Sequence, residues 1–123
     1  MISKFPENWE LLNFFESEPR LTDPNSPWLY NKLEFVIIRG QEELHALISP
    51  SYGQFHFTYY CAKRLIVDLE FHEVDQCTIV SEHDKHYMIL RFQEGLNLKD
   101  ALIFLKPAIT LIAGNSDSSI TRK

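Results

Sequence analysis

Between Leu33 and Phe92 the chain returns again and again to one pattern: a short run with every second residue apolar, then a cluster of turn formers. In LEFVIIR, Leu33, Phe35 and Ile37 alternate with Glu34, Val36 and Ile38. ELHALIS follows the turn Gly40-Gln41, and SPSYG separates it from QFHFTYY, where Phe55, Phe57 and Tyr59 alternate with His56, Thr58 and Tyr60. After Lys63-Arg64, LIVDLEFHEV puts Leu65, Val67, Leu69 and Phe71 on one side and Ile66, Asp68, Glu70 and His72 on the other. QCTIVS is short, EHDK turns, and HYMILRF groups Met88, Leu90 and Phe92. Successive side chains of a strand point to opposite faces, so each run reads as a half-buried strand. Strands about ten residues apart, joined by turns, pack as antiparallel sheets.

Ahead of the strands, ENWELLNFFESE has helical periodicity. Trp9, Leu12 and Phe15 fall on one side, or Trp9, Leu11 and Phe15 with Leu12 at the margin. Pro6 suits a helix start, Glu7 and Glu10 suit its positive end, and Pro19 ends it. Pro19, Pro24 and Pro27 then exclude regular structure, so this stretch is expected to be an ordered loop docking Leu21 and Trp28 on the core. The predicted fold is α+β: a mostly antiparallel β-sheet, as a sandwich or a partly open barrel, with an N-terminal helix. Near the end, LKDALIFL reads equally as a short helix or as a strand broken from the next at Pro107, and a strand is expected over 108–113. Residues 1–113 are expected to form one globular domain, with 114–123 a polar tail.

A chain of 123 residues can bury one core without disulfides or a metal. Cys61 and Cys77 are too few for a disulfide framework and no CxxC occurs. Glu7 and Glu10 interrupt any signal-peptide core, and the longest apolar runs, FVII and ALIFL, are too short to span a bilayer. The expected location is the cytoplasm, with no membrane contact.

The net charge of −5 is unevenly spread. Residues 1–84 carry 14 acids and 6 bases, whereas residues 85–123 carry 3 acids and 6 bases. Within 66–84 stand Asp68, Glu70, Glu73, Asp75, Glu82 and Asp84, with no Lys or Arg. Such a stretch repels phosphate and attracts cationic partners, so no nucleic acid is expected to bind.

The chain's best constellation of reactive groups is Asp68, Glu70 and His72, which share one face of a strand at roughly 7 Å steps. Zinc or manganese needs three or four converging ligands, and a glycosidase needs two carboxylates flanking a sugar. The spacing signals neither, and a solvated sheet face or a protein-binding face explains it. His83 and His86 lie in a predicted turn, and His45 and His56 point outward from strands. Ser49, Ser51 and Ser81 lack a nucleophile elbow, and four glycines do not make a phosphate loop. No cofactor is expected. Tyr52, Tyr60, Tyr87 and Trp28 stand at strand ends or on alternating faces, where an exposed aromatic beside carboxylates suits a binding hot spot.

Taken together, NWELLNFF at 8–15, the Pro-containing loop, LYNKLEFVII, the aromatic FHFTYY and VDLEFHEV at 67–74 resemble the bacterial polymorphic-toxin immunity proteins, most of all the immunity protein 50 family. The resemblance spans 8–113. It implies a small cytoplasmic antitoxin that performs no chemistry and covers the active site of a cognate toxin C-terminal domain, often a nuclease with a basic cleft. On that reading Asp68, Glu70, His72, Glu73, Asp75, Glu82 and Asp84 form the contact surface, with Tyr60 or Tyr87 as an aromatic anchor. Two other classes remain open. One is a small-ligand domain whose pocket is lined by Phe55, Phe57, Phe71 and Phe92. The other is a metal-dependent enzyme using Asp68, Glu70 and His72. Whether the chain acts as a monomer or a dimer is open as well.

Overall fold

The structure, a computed structural model, describes residues 2–115. It contains one α-helix, α1 (Asn8–Phe15), and nine strands: β1 (Arg20–Leu21), β2 (Leu33–Arg39), β3 (Glu42–Ser49), β4 (Gln54–Cys61), β5 (Arg64–Phe71), β6 (Val74–Glu82), β7 (Lys85–Phe92), β8 (Ala101–Lys106) and β9 (Thr110–Ile112). Two antiparallel sheets result, one ordered β1-β2-β3-β4-β5 and the other β6-β7-β8-β9. Every neighbour in a sheet is a neighbour in sequence, because each connection is a short turn or loop. The expected α+β architecture is met, with two separate sheets and no closed barrel.

The alternation decides what lies inside. Leu33, Phe35 and Ile37 of β2, Leu44, Ala46 and Ile48 of β3, and Phe55 and Phe57 of β4 are buried. They join Cys77 of β6, Met88 and Leu90 of β7, and Ile103 and Leu105 of β8 in one hydrophobic cluster shared by both sheets. Phe55, Phe57, Phe71 and Phe92 follow one another in ring contact, at centroid distances of 6.4, 6.2 and 5.7 Å. Phe55 and Phe57 lie in the core, and Phe71 and Phe92 pack against it.

The helix differs in one respect from the expected stripe. Leu11, Phe14 and Phe15 are buried, while Trp9 is 64% and Leu12 36% exposed. Positions 11, 14 and 15 satisfy the helical period as well as 9, 12 and 15 do, and they bury two phenylalanines. Phe15 stacks on Phe35 at 4.1 Å. The amide of Glu7 donates to Glu10 Oε1 at 2.9 Å, and Glu16, left-handed at φ 54°, ends the helix before Pro19 is reached.

The Pro-rich stretch is more regular than expected. Arg20 and Leu21 pair with Glu34 and Leu33, and Trp28–Tyr30 forms a 3₁₀ turn. Leu21 and Trp28 pack against the core as expected. LKDALIFL resolves as strand β8, Ala101–Lys106, and the following strand is shorter than 108–113. Residues 114 and 115 close the described chain with a bridge between Leu98 and Asn115, and the rest of the expected polar tail lies outside the described residues.

Gly53 joins the two sheets. At φ 62° it is left-handed, and an added Cβ would lie 2.7 Å from the Val74 carbonyl oxygen. The Val74 amide donates to the Gly53 carbonyl at 3.1 Å. At β6, residues 3 and 4 run alongside: the Ser3 amide donates to the Asp75 carbonyl at 2.7 Å, and the Cys77 amide to the Lys4 carbonyl at 2.8 Å. This covers an edge that would otherwise be open to pairing.

Candidate functional site

The residues between the buried ones in β2–β5 form an open face on the first sheet. Strand register lines them up in rows. Val36, His45, Thr58 and Asp68 are successive partners across four strands, as are Glu34, Leu47, His56 and Glu70. Carboxylates therefore mark both ends of the face, and apolar and imidazole side chains fill its middle.

Each histidine here answers a carboxylate. His56 Nε2 lies 2.6 Å from Asp68 Oδ1, His45 Nε2 3.2 Å from Glu43 Oε2, and His72 Nε2 3.8 Å from Glu70 Oε2. Arg20 pairs with Glu34 at the opposite edge. Tyr60 packs edge-on against His45 at 5.6 Å. Beside it a register shift at Tyr59/Tyr60 leaves Leu65 and Ile66 each 52% exposed. Ile38, 68% exposed, stands on the same face, opposite Glu43. This face thus exposes apolar and acidic side chains together.

The nine residues singled out from the sequence fall in two places. Asp68, Glu70 and Tyr60 share the outer face of the first sheet, and His72 follows directly in an exposed corner. Glu73, left-handed at φ 60°, makes the corner between the sheets, and its carbonyl accepts the Gln93 amide at 3.1 Å. Asp75 is the extra residue of a bulge in β6, half-buried, with its carbonyl taken by residues 3 and 4. Glu82 pairs across the β6–β7 hairpin with Lys85, and Asp84 is in that turn. Tyr87 lies on the second sheet and stacks on Phe104 at 4.7 Å. The acid-only stretch is thus continuous in sequence but divided between sheets in space.

Sequence reasoning missed the acids and histidines that adjoin this face from other strands: Glu34, Glu43, His45 and His56. Only strand register places them on the same face as Asp68 and Glu70, with His56 alone on the adjoining strand. It also missed Tyr30, which is 66% exposed, and did not separate Tyr52, 75% exposed, from core aromatics.

For metal chemistry the arrangement is unsuited. Among the described residues, no group of three or more His, Cys, Asp or Glu converges on a possible metal position. Asp68 is turned to His56 on β4 rather than toward Glu70 and His72. Burial pushes the Cys77 thiol well above its ordinary range, away from the reactive thiolate. At the far end, Lys106 Nζ sits 3.0 Å from Glu16 Oε2 and holds that carboxyl below its usual value.

By architecture, this is a two-sheet antiparallel β protein with an N-terminal helix, and its candidate site is an open sheet face rather than an enclosed cavity. No family model and no curated protein matches the chain. It is similar in fold to a chain in the solved structure of a contact-dependent growth inhibition toxin–immunity protein complex from Klebsiella pneumoniae 342. The TM-score is 0.75 at 19% identity, over 93% of this chain and 98% of that one. The resemblance to toxin–immunity proteins read from the sequence is therefore met at the level of the fold. No helix among the described residues is long and apolar enough to cross a membrane.

Proposed function

We propose that the chain is an immunity protein that binds a cognate contact-dependent growth inhibition toxin and neutralises it without chemistry of its own. The observation that carries this reading is the fold shared, over nearly the whole length of both chains, with a member of a toxin–immunity complex. Of the two roles in such a pair, the charge favours the immunity one. The chain carries a net −5, and its open face sets Asp68, Glu70, Glu43 and Glu34 around apolar side chains. A toxin that acts on nucleic acid presents a basic cleft, and carboxylates held on a rigid sheet answer it as phosphates do.

The proposed contact surface is centred on Asp68, Glu70, Tyr60 and His72, with Glu73 at its border. Asp75, Glu82, Asp84 and Tyr87 join it if the toxin wraps onto the second sheet. The partner is the toxin's C-terminal domain, and the place of action is the cytoplasm, where such a domain is delivered. The test is growth: co-expression should protect cells from the proposed cognate toxic domain, sought in the reading frame beside this gene, and absence of protection contradicts the reading.

A further inference from the structure

Two exposed tyrosines flank a cleft at one end of the same sheet. Tyr30 ends the 3₁₀ turn Trp28–Tyr30 and Tyr52 ends the 3₁₀ turn Pro50–Tyr52. They are 66% and 75% exposed, the latter more than any other large hydrophobic or aromatic side chain of the described chain. The cleft that they line has a volume of about 300 Å³ and includes Asp23 and Ser51.

The frame beneath them is fixed. Asn31 is buried, takes the Asp23 amide on its side-chain oxygen at 3.0 Å, and donates to the Asp23 and Ser26 carbonyls at 2.7 and 3.2 Å. Ser51 Oγ donates to the Leu29 carbonyl at 2.8 Å and ties one turn to the other. Gly53, packed against Val74, holds the second turn from behind. Solvated aromatic side chains on a braced frame lose little conformational freedom on binding. Among the described residues, neither ring belongs to the hydrophobic core or packs against it.

We propose that this cleft receives an arginine side chain of the toxin, stacked between Tyr30 and Tyr52, and that these tyrosines are the aromatic anchors of the interface. The inference rests on the immunity reading and deepens it. Three observations choose the occupant. Aromatic faces attract guanidinium groups. The Asp23 carboxylate lines the cleft, oriented by the Ser26 hydroxyl on Oδ2 at 2.7 Å and the Asn25 amide on Oδ1 at 3.1 Å. The cleft also runs into the acidic face, since Lys32 and Ser49 line both it and the neighbouring depression that holds His56 and Glu70. Across the two depressions, the carboxylates of Asp23 and Glu70 outnumber the single ammonium of Lys32.

The experiment uses the full chain and the toxic domain encoded beside its gene, with affinity read by calorimetry. Tyr30→Ala and Tyr52→Ala should each weaken binding at least about tenfold and leave the melting temperature unchanged. Tyr30→Phe and Tyr52→Phe should keep the affinity, because the ring face is retained. Tyr52→Leu should lose it, and Asp23→Asn should weaken it with a reduced dependence on salt. If the complex forms and the alanine variants bind as the unsubstituted protein does, the anchor assignment is wrong while the immunity reading stands. If the leucine variant binds fully, the occupant is not an arginine and the proposal is overturned. If no complex forms, both fall together.

Discussion

His56 and Asp68 face each other across β4 and the edge strand β5, with Nε2 and Oδ1 2.6 Å apart. The carboxylate is thereby held in one orientation on the open face of the first sheet, two residues from Glu70. Charged side chains on an edge strand also keep it from pairing with a second sheet. On the proposed function the same two acids would also supply charge complementarity to the toxin.

Replacing Asp68 and Glu70 together with lysine should weaken toxin binding by roughly one to two orders of magnitude, in line with a lost complementary charge pair. Much of the change should appear in the association rate and should fade as salt rises. Surface plasmon resonance at two ionic strengths reads both. Their side chains are 55% and 59% exposed, so the fold should not suffer. An unchanged rate and affinity would remove this face from the interface.

Phe15 anchors the helix on the sheet through its stack with Phe35. Both are buried, so Phe35→Ala should destabilise the protein by about 3–5 kcal/mol through lost burial and a cavity. Trp9→Ala, on the exposed side of α1, should change stability by no more than about 0.5 kcal/mol. Urea denaturation of the two variants distinguishes this helix register from the one with Trp9 inside.

Gly53→Ala should cost about 1–3 kcal/mol, because the position combines a left-handed backbone with a carbonyl oxygen 2.7 Å from the new Cβ. Gly40→Ala shares the positive φ but meets nothing within 4 Å, so it should cost less. Thermal unfolding of the pair separates strain from collision.

The Glu16–Lys106 pair sets a small acid dependence. The carboxyl's folded value is lowered, chiefly by its hydrogen bond to Lys106, so its contribution is present above the ordinary carboxylate range. That contribution disappears as pH falls through the folded value. Glu16→Gln should therefore cost no more than about 0.5 kcal/mol near neutral pH, the scale of an exposed pair, and nothing in acid. Denaturation midpoints of both proteins against pH should converge as the solution is acidified.

What the sequence shows and what it hides follow from the range of each interaction. The faces of β2, β4 and β5 are legible because alternation is a local property of LEFVIIR, QFHFTYY and VDLEF. The fate of ALIFL is not, because an apolar run of that length fits a buried strand as well as a helix, and only pairing with β7 decides it. The helix stripe was ambiguous because Trp9, Leu11, Leu12, Phe14 and Phe15 offer two apolar faces. Local pattern gave Asp68 and Glu70, but their neighbour His56, and His45 one strand further on, arrive by register over a dozen or more residues. The acid-only stretch illustrates the opposite error. Its residues are close in sequence, yet the corner at His72-Glu73 sends Asp75, Glu82 and Asp84 to the other sheet.

The most direct test of the account is a size-exclusion measurement on the purified chain mixed with the toxic domain encoded beside its gene. The account predicts co-elution as a stable one-to-one complex in which the toxin is inactive. Separate elution with the toxin fully active would contradict it.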